Sequence, residues 1–225
     1  MQYTVKGTPM PVVEIELNDG ESIKCEAGAM SWMSSNLEMT TSGGGIGKMF
    51  SKALMGENMF QNTYTARGGN GSIAFASSFP GNILAVEIGP GKEIVCQKSA
   101  FLASTPGVEL SIFFQKKFGA GFFGGEGFIM QKLSGNGIAF LEIDGFVETK
   151  TLAPGEQIIV DTGYLAMADT TCSIDVQTVK GVGNALLGGE GIFNTVITGP
   201  GNVSLQTMPS FQLANSLRKY FATGK

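Results

Sequence analysis

Val13, Ile15 and Leu17 alternate with Glu14, Glu16 and Asn18. A period of two predicts a strand with one buried and one wet face. Asp19-Gly20 supplies a hairpin turn, and residues 21 to 25 return as the next strand. The same figure recurs twice: Leu84–Ile88 runs into Pro90-Gly91, and Val147–Leu152 runs into Pro154-Gly155. In both, Pro holds φ at about −65° and Gly accepts the positive φ of a type II turn.

The recurrence extends beyond the turns. Leu17-Asn18-Asp19-Gly20-Glu21-Ser22-Ile23 matches Ile88-Gly89-Pro90-Gly91-Lys92-Glu93-Ile94 and Leu152-Ala153-Pro154-Gly155-Glu156-Gln157-Ile158. A second anchor follows each, at Gly56-Glu57, Gly125-Glu126 and Gly189-Glu190, 36, 34 and 34 residues after the turn glycine. Between the anchors lie Leu37-Glu38-Met39-Thr40, Val108-Glu109-Leu110-Ser111 and Ile174-Asp175-Val176-Gln177, strands whose acids are expected to face water. A last hairpin turns at Gly69-Asn70-Gly71, Gly135-Asn136-Gly137 and Gly199-Pro200-Gly201. It runs into Ile73-Ala74-Phe75, Ile138-Ala139-Phe140 and Val203-Ser204-Leu205.

These patterns predict an all-β fold of three tandem repeats, at about residues 12–79, 83–143 and 146–208, with four or five strands each. Three sheets with one apolar face apiece bury those faces most simply about a pseudo-threefold axis. No Pro/Ser-rich linker separates the copies, so residues 1–225 are expected to form one domain with a shared core. A short amphipathic helix is expected over 210–221, with Ser210 as N-cap and Phe211, Ala214, Leu217 and Phe221 at near-helical spacing.

Composition narrows the chemistry. A chain of 225 residues buries enough surface to fold without disulfide or metal. Net charge is −4, and Lys116-Lys117 and Arg218-Lys219 are the only basic pairs, so no nucleic-acid partner is expected. Cys25 and Cys96 stand five residues after their turn glycines, where the third copy has Val160. A cysteine that alternates with valine is a small core hydrophobe. With no His, an odd cysteine count and no Cys-x-x-Cys, no cofactor, zinc site or disulfide framework is expected. The N-terminus lacks a cationic-then-apolar signal, and no apolar run reaches the roughly 18 residues of a membrane span, which points to a soluble cytoplasmic protein.

The tandem Gly-Glu anchors, with the closing Gly199-Pro200-Gly201-Asn202-Val203-Ser204-Leu205-Gln206, resemble the family named for altered inheritance of mitochondria, formerly a domain of unknown function. The resemblance covers nearly the whole chain; Ser204 departs from it, standing where an aromatic is expected. It implies three tandem units similar to the subunit of the tryptophan-RNA-binding attenuation protein, grouped with double-stranded β-helices, and a homo-oligomer. Fungal members are similar to mitochondrial proteins linked to inner-membrane organisation, whereas this chain shows no Arg-rich transit peptide. The family carries no established catalytic residues to transfer.

The candidate sites are few. Glu57, Glu126 and Glu190 occupy equivalent places, and convergence at an axis would let them hold a hard cation, although Gly-Glu also simply opens a strand. The segments before them mix glycine with large apolar residues: Ile46, Met49, Phe50 and Leu54; Phe118, Phe122 and Phe123; Val182, Leu186 and Leu187. They either plug the sheet ends or form one exposed apolar contact surface. Residues 43 to 49 fail as a phosphate loop, with Ser42 in place of a glycine and Met49 in place of the magnesium-binding hydroxyl. No Gly-x-Ser-x-Gly elbow is present, and no His serves as a base. Trp32, matched with Ala103 and Met167, reads as a packing residue rather than a sugar platform.

The expectation is a non-enzymatic β scaffold that self-associates and presents a surface to a protein or membrane partner. The alternatives are a small-ligand-binding module and a carboxylate- or metal-dependent enzyme.

Overall fold

Alternation becomes strand almost everywhere the chain is described. The computed structural model describes residues 1–42, 61–116, 127–178, 193–218 and 220–221. After β1 (Gln2–Lys6), three stretches each pass through six strands. The first holds β2 (Val12–Leu17), β3 (Ser22–Glu26), β4 (Trp32–Met33), β5 (Leu37–Ser42), β6 (Gln61–Ala66) and β7 (Gly71–Ala76). The second holds β8 (Gly81–Ile88), β9 (Ile94–Gln97), β10 (Phe101–Ser104), β11 (Val108–Lys116), β12 (Phe128–Gly135) and β13 (Gly137–Asp144). The third holds β14 (Val147–Leu152), β15 (Gln157–Asp161), β16 (Leu165–Asp169), β17 (Ser173–Thr178), β18 (Phe193–Thr198) and β19 (Gly201–Gln206), and helix α1 (Ser210–Arg218) follows.

The described residues divide into two compact units. One is Met1–Ile88, Phe101–Glu109 and Gly135–Glu142; the other is Gly89–Ala100, Leu110–Ser134 and Ile143–Lys225. The first unit carries a four-stranded sheet ordered β1-β2-β7-β4 and a six-stranded sheet ordered β5-β6-β3-β10-β13-β8. The second carries a six-stranded sheet ordered β11-β12-β9-β16-β19-β14 and a three-stranded sheet ordered β15-β18-β17. The sheets therefore do not follow the stretches. In each six-stranded sheet, the fourth, fifth and second strands of one stretch lie beside the third, sixth and first strands of the next.

Each unit has its own apolar cluster. Val13, Ile15, Leu17, Ile23, Phe75 and Phe140 fill the first, and Val95, Phe128, Met130, Leu165, Ile197 and Val203 fill the second. At about 1.5–3 kcal/mol for each large side chain removed from water, these faces dominate the stability of their sheets. Cys25 lies in the first cluster and Cys172 in the second, and Cys96 is also buried.

Local devices repeat with the strands. Gly20, Gly91 and Gly155 turn their hairpins at φ of +82°, +73° and +77°, a region that residues with a Cβ rarely adopt. Glu21 accepts from the Asn18 backbone N–H and Glu156 from that of Ala153, each at 2.8 Å, so both close the turn they follow. Ser34 Oγ, Thr105 Oγ1 and Asp169 Oδ2 accept from the backbone N–H of Ser72, Ile138 and Asn202, at 2.9, 3.0 and 2.7 Å. Three different side chains thus tie the end of a third strand, or the residue after it, to the start of a sixth.

The pairings refine the sequence alignment at one place. Met33 pairs with Ile73, Ser104 with Ala139 and Ala168 with Val203. The run equivalent to Ile73-Ala74-Phe75 is therefore Ala139-Phe140-Leu141, one residue beyond the expected Ile138-Ala139-Phe140. Ala139, Phe140 and Leu141 are all buried, and a strand covered on both faces has no alternation from which to count.

The C-terminal helix differs from expectation in its cap and its face. Ser210 is the first helical residue, and the carboxylate of Asp144 accepts its backbone N–H at 2.9 Å, so the cap comes from the end of β13. Phe211 is half-buried, with its ring over Gly163, where an added Cβ would lie 2.1 Å from the Phe211 Cε1. Leu217 and Phe221 are exposed, so the helix docks through its first turn and not along a full apolar stripe. Among the described residues no helix is long and apolar enough to cross a membrane.

Candidate functional site

The residues that stand out are those left over by the sheet plan. Two joints between stretches are made of a second strand against a third. In the first unit β3 pairs with β10, Cys25 opposite Ala103 and Lys24 opposite Ser104. In the second unit β9 pairs with β16, Cys96 opposite Met167, Val95 opposite Ala168 and Ile94 opposite Asp169. The corresponding second strand of the third stretch, β15, ends its sheet, as does the corresponding third strand of the first stretch, β4. Among the described residues, one half of a joint is therefore open in each unit.

Exposure marks the two open halves. Trp32 and Met33 on β4 are 51% and 38% exposed, whereas their counterparts Ala103 and Ser104 are at 0%. Ile159 on β15 is 65% exposed, whereas its counterpart Val95 is at 0%. The expected packing role of Trp32 is thereby corrected: among the described residues, no strand like those that cover its counterparts in the other two stretches lies beside it. At the joint of β3, Lys24 occupies the place of Ile159 and donates to the Val108 carbonyl, burial holding its ammonium below the usual lysine range against the opposing pull of Glu109.

Charge is distributed accordingly. The other strands that end a sheet carry ionisable residues: Lys6 on β1, Glu38 on β5, Glu87 on β8, Glu109 on β11, Glu148 and Lys150 on β14, and Asp175 on β17. Such charges keep edge strands from pairing with foreign strands. β4 has none. β15 has only its terminal Asp161, whose carboxylate accepts the backbone N–H of Gly163 at 3.3 Å.

The buried thiols and several of the carboxylates have structural surroundings. Burial pushes the Cys25 and Cys96 thiols up to about 12 and raises that of Cys172. A thiol so held is neither nucleophile nor ligand at neutral pH. Glu142 accepts the Ser78 backbone N–H at 2.8 Å, and Asp169 and Asp144 hold backbone as described above. Glu38, Glu109 and Asp175 sit exposed on three separate strands; Glu38 meets Arg67 at 3.3 Å and Asp175 accepts from Gln177 at 2.8 Å. Met39 is 54% exposed beside Glu38, so β5 does not bury both apolar positions expected of it.

The residues expected to form the contact surface, Ile46, Met49, Phe50, Leu54, Phe118, Phe122, Phe123, Val182, Leu186 and Leu187, lie outside the described residues, as do Glu57, Glu126 and Glu190. Trp32, Met33 and Ile159 were not expected as surface residues. Their signal was the uninterrupted apolar run Ile158-Ile159-Val160 and a tryptophan matched with an alanine.

Comparison with known proteins agrees with this architecture. A crystal structure of a Streptococcus pyogenes protein, solved as a structural genomics target, superposes with a TM-score of 0.82 at 25% identity, covering 98% of this chain and 99% of that one. An uncharacterized protein of Streptococcus pyogenes serotype M6 is 29% identical over 234 residues, spanning 99% of this chain and 92% of its own. The family model for the mitochondrial biogenesis protein AIM24 matches residues 3–208. With that match over nearly its whole length, the chain belongs to the AIM24 family.

Proposed function

We propose that this protein is a non-enzymatic β scaffold that self-associates and presents a surface to a protein or membrane partner. The observation that carries the reading is the pair of strand edges on β4 and β15, which end their sheets with Trp32, Met33 and Ile159 exposed and with no charge except Asp161 at the end of β15. Unpaired backbone on an uncharged edge is a template for another strand. Glu21, Glu156, Asp169 and Asp144 support the same reading, because their carboxylates hold backbone N–H groups of turns, a latch and a helix start. Three buried, unpaired thiols suit a reducing compartment such as the cytoplasm.

The test is solution mass by light scattering across a hundredfold range of protein concentration. A defined multiple of the 23.6 kDa chain is expected. A strictly monomeric species throughout would remove the reading.

A further inference from the structure

We infer that a second copy of this chain completes the open joint, with β15 of one copy pairing antiparallel to β4 of the next, Trp32 opposite Val160 and Met33 opposite Ile159. The inference rests on the self-association proposed above and adds its register and its polarity.

The register comes from the two joints within the chain. Cys25 and Cys96 correspond to Val160, and they face Ala103 and Met167, which correspond to Trp32. The correspondence of the third strands is fixed independently by their sixth-strand partners: Trp32 pairs with Ala74, Ala103 with Phe140 and Met167 with Ser204. One step along, Lys24 faces Ser104 and Val95 faces Ala168, which places Ile159 opposite Met33. Each open edge is thus one half of a joint whose other half the chain also carries.

The occupant follows from exposure. In the chain by itself Trp32, Met33 and Ile159 stand in solvent, so the complement of each edge comes from another copy. Pairing would cover an indole, a thioether and a sec-butyl group whose counterparts elsewhere are buried (Ala103, Ser104, Ala168, Val95) or half-buried (Met167, Lys24). The order of strands across the new sheet would be β17-β18-β15 of one copy followed by β4-β7-β2-β1 of the next. Its first six strands reproduce the order of the two six-stranded sheets, and β1 caps the far side. Because one edge meets a different edge, the contact is head-to-tail rather than two-fold symmetric.

Disulfide trapping tests this. Directly opposed residues of an antiparallel pair have Cα atoms about 4.5–5.5 Å apart, within the range a disulfide spans. Met33→Cys and Ile159→Cys are prepared as separate single variants, and the buried native thiols do not compete. Mild oxidation of the mixture is expected to give a covalent species of twice the chain mass, while each variant alone stays uncrosslinked. Ile159→Asp, which places on the edge a carboxylate that neither internal joint carries at this position (Lys24 in one, Val95 in the other), is expected to abolish assembly without loss of the folded β signal.

Crosslinking of either single variant with itself as readily as in the mixture would overturn the polarity. A Met33→Cys/Ile159→Cys double variant that closes only within one chain would overturn the second copy as occupant. Self-association of the wild type with no crosslink in the mixture, or undiminished by Ile159→Asp, would overturn this joint and leave the scaffold reading intact. A monomeric wild type would remove both.

Discussion

Asp169 Oδ2 accepts two hydrogen bonds from Asn202, from the backbone N–H at 2.7 Å and from the side-chain amide at 2.9 Å. At the matching places Thr105 Oγ1 accepts the Ile138 backbone N–H, and Ser34 Oγ accepts the Ser72 backbone N–H and shares a hydrogen bond with the Ser72 hydroxyl at 3.0 Å. The two bonds converge on one carboxylate oxygen, so Asp169→Ala is expected to lower unfolding stability by about 1–2 kcal/mol. Asp169→Ser, copying the device at Ser34, is expected to recover part of that loss. Urea denaturation of the three proteins checks the order.

Gly163 and Phe211 form a second close pair. An added Cβ on Gly163 would overlap the Phe211 ring, while the Gly163 carbonyl accepts from Gln206 Nε2 at 2.8 Å and Gln97 Nε2 at 3.1 Å and so resists moving. Gly163→Ala is expected to cost about 1–3 kcal/mol and undock the start of α1. In a Phe211→Ala background the same change is expected to cost far less. A double-mutant cycle by thermal melting measures the coupling, and additivity would contradict the contact.

The three cysteines give a chemical readout of packing. With Cys25 and Cys96 pushed up to about 12 by burial and Cys172 also raised, a thiol-selective reagent at neutral pH is expected to label none in the native protein. All three are expected to react after denaturation. Rapid native labelling at any of them, read by mass spectrometry, would contradict the described core.

Asp144 gives a pH dependence of defined sign. Burial raises its carboxyl above the ordinary value of 3.8, while the Ser210 backbone N–H opposes that shift. A raised folded value favours folding when the group is protonated, and this contribution is lost as pH rises through that value. Asp144→Asn keeps an acceptor for Ser210 and removes the titration. Its stability relative to wild type is therefore expected to improve as pH rises from below 3.8 toward neutrality. Asp144→Ala, which loses the cap altogether, is expected to cost about 1 kcal/mol at neutral pH. Chemical denaturation at several pH values separates the two effects.

Where one face of a strand is wet, the sequence was readable: Val13, Ile15 and Leu17 are buried, as their alternation with Glu14, Glu16 and Asn18 indicates. The positions of Cys25, Cys96 and Val160 were likewise legible by counting from their turn glycines. Strand β1 was missed although Tyr3 and Val5 alternate with polar residues, because every residue in it is exposed and its apolar signal is weak. The cap of α1 was misplaced because Ser210 satisfies a local rule, whereas Asp144 lies 66 residues away and becomes a neighbour only on folding. The open edges escaped for a similar reason. An apolar run such as Ile158-Ile159-Val160 looks the same whether its outer neighbour is present or absent, and only strand order distinguishes the two.

That strand order bears on how such a chain could have grown. Since a stretch supplies half of one sheet and half of the next, adding a further stretch to the gene would lengthen the array by one stretch, and docking a further molecule at the end would lengthen it by three. Gene duplication and quaternary assembly then become interchangeable routes to one architecture, and the placement of charge on terminal strands decides where either route stops.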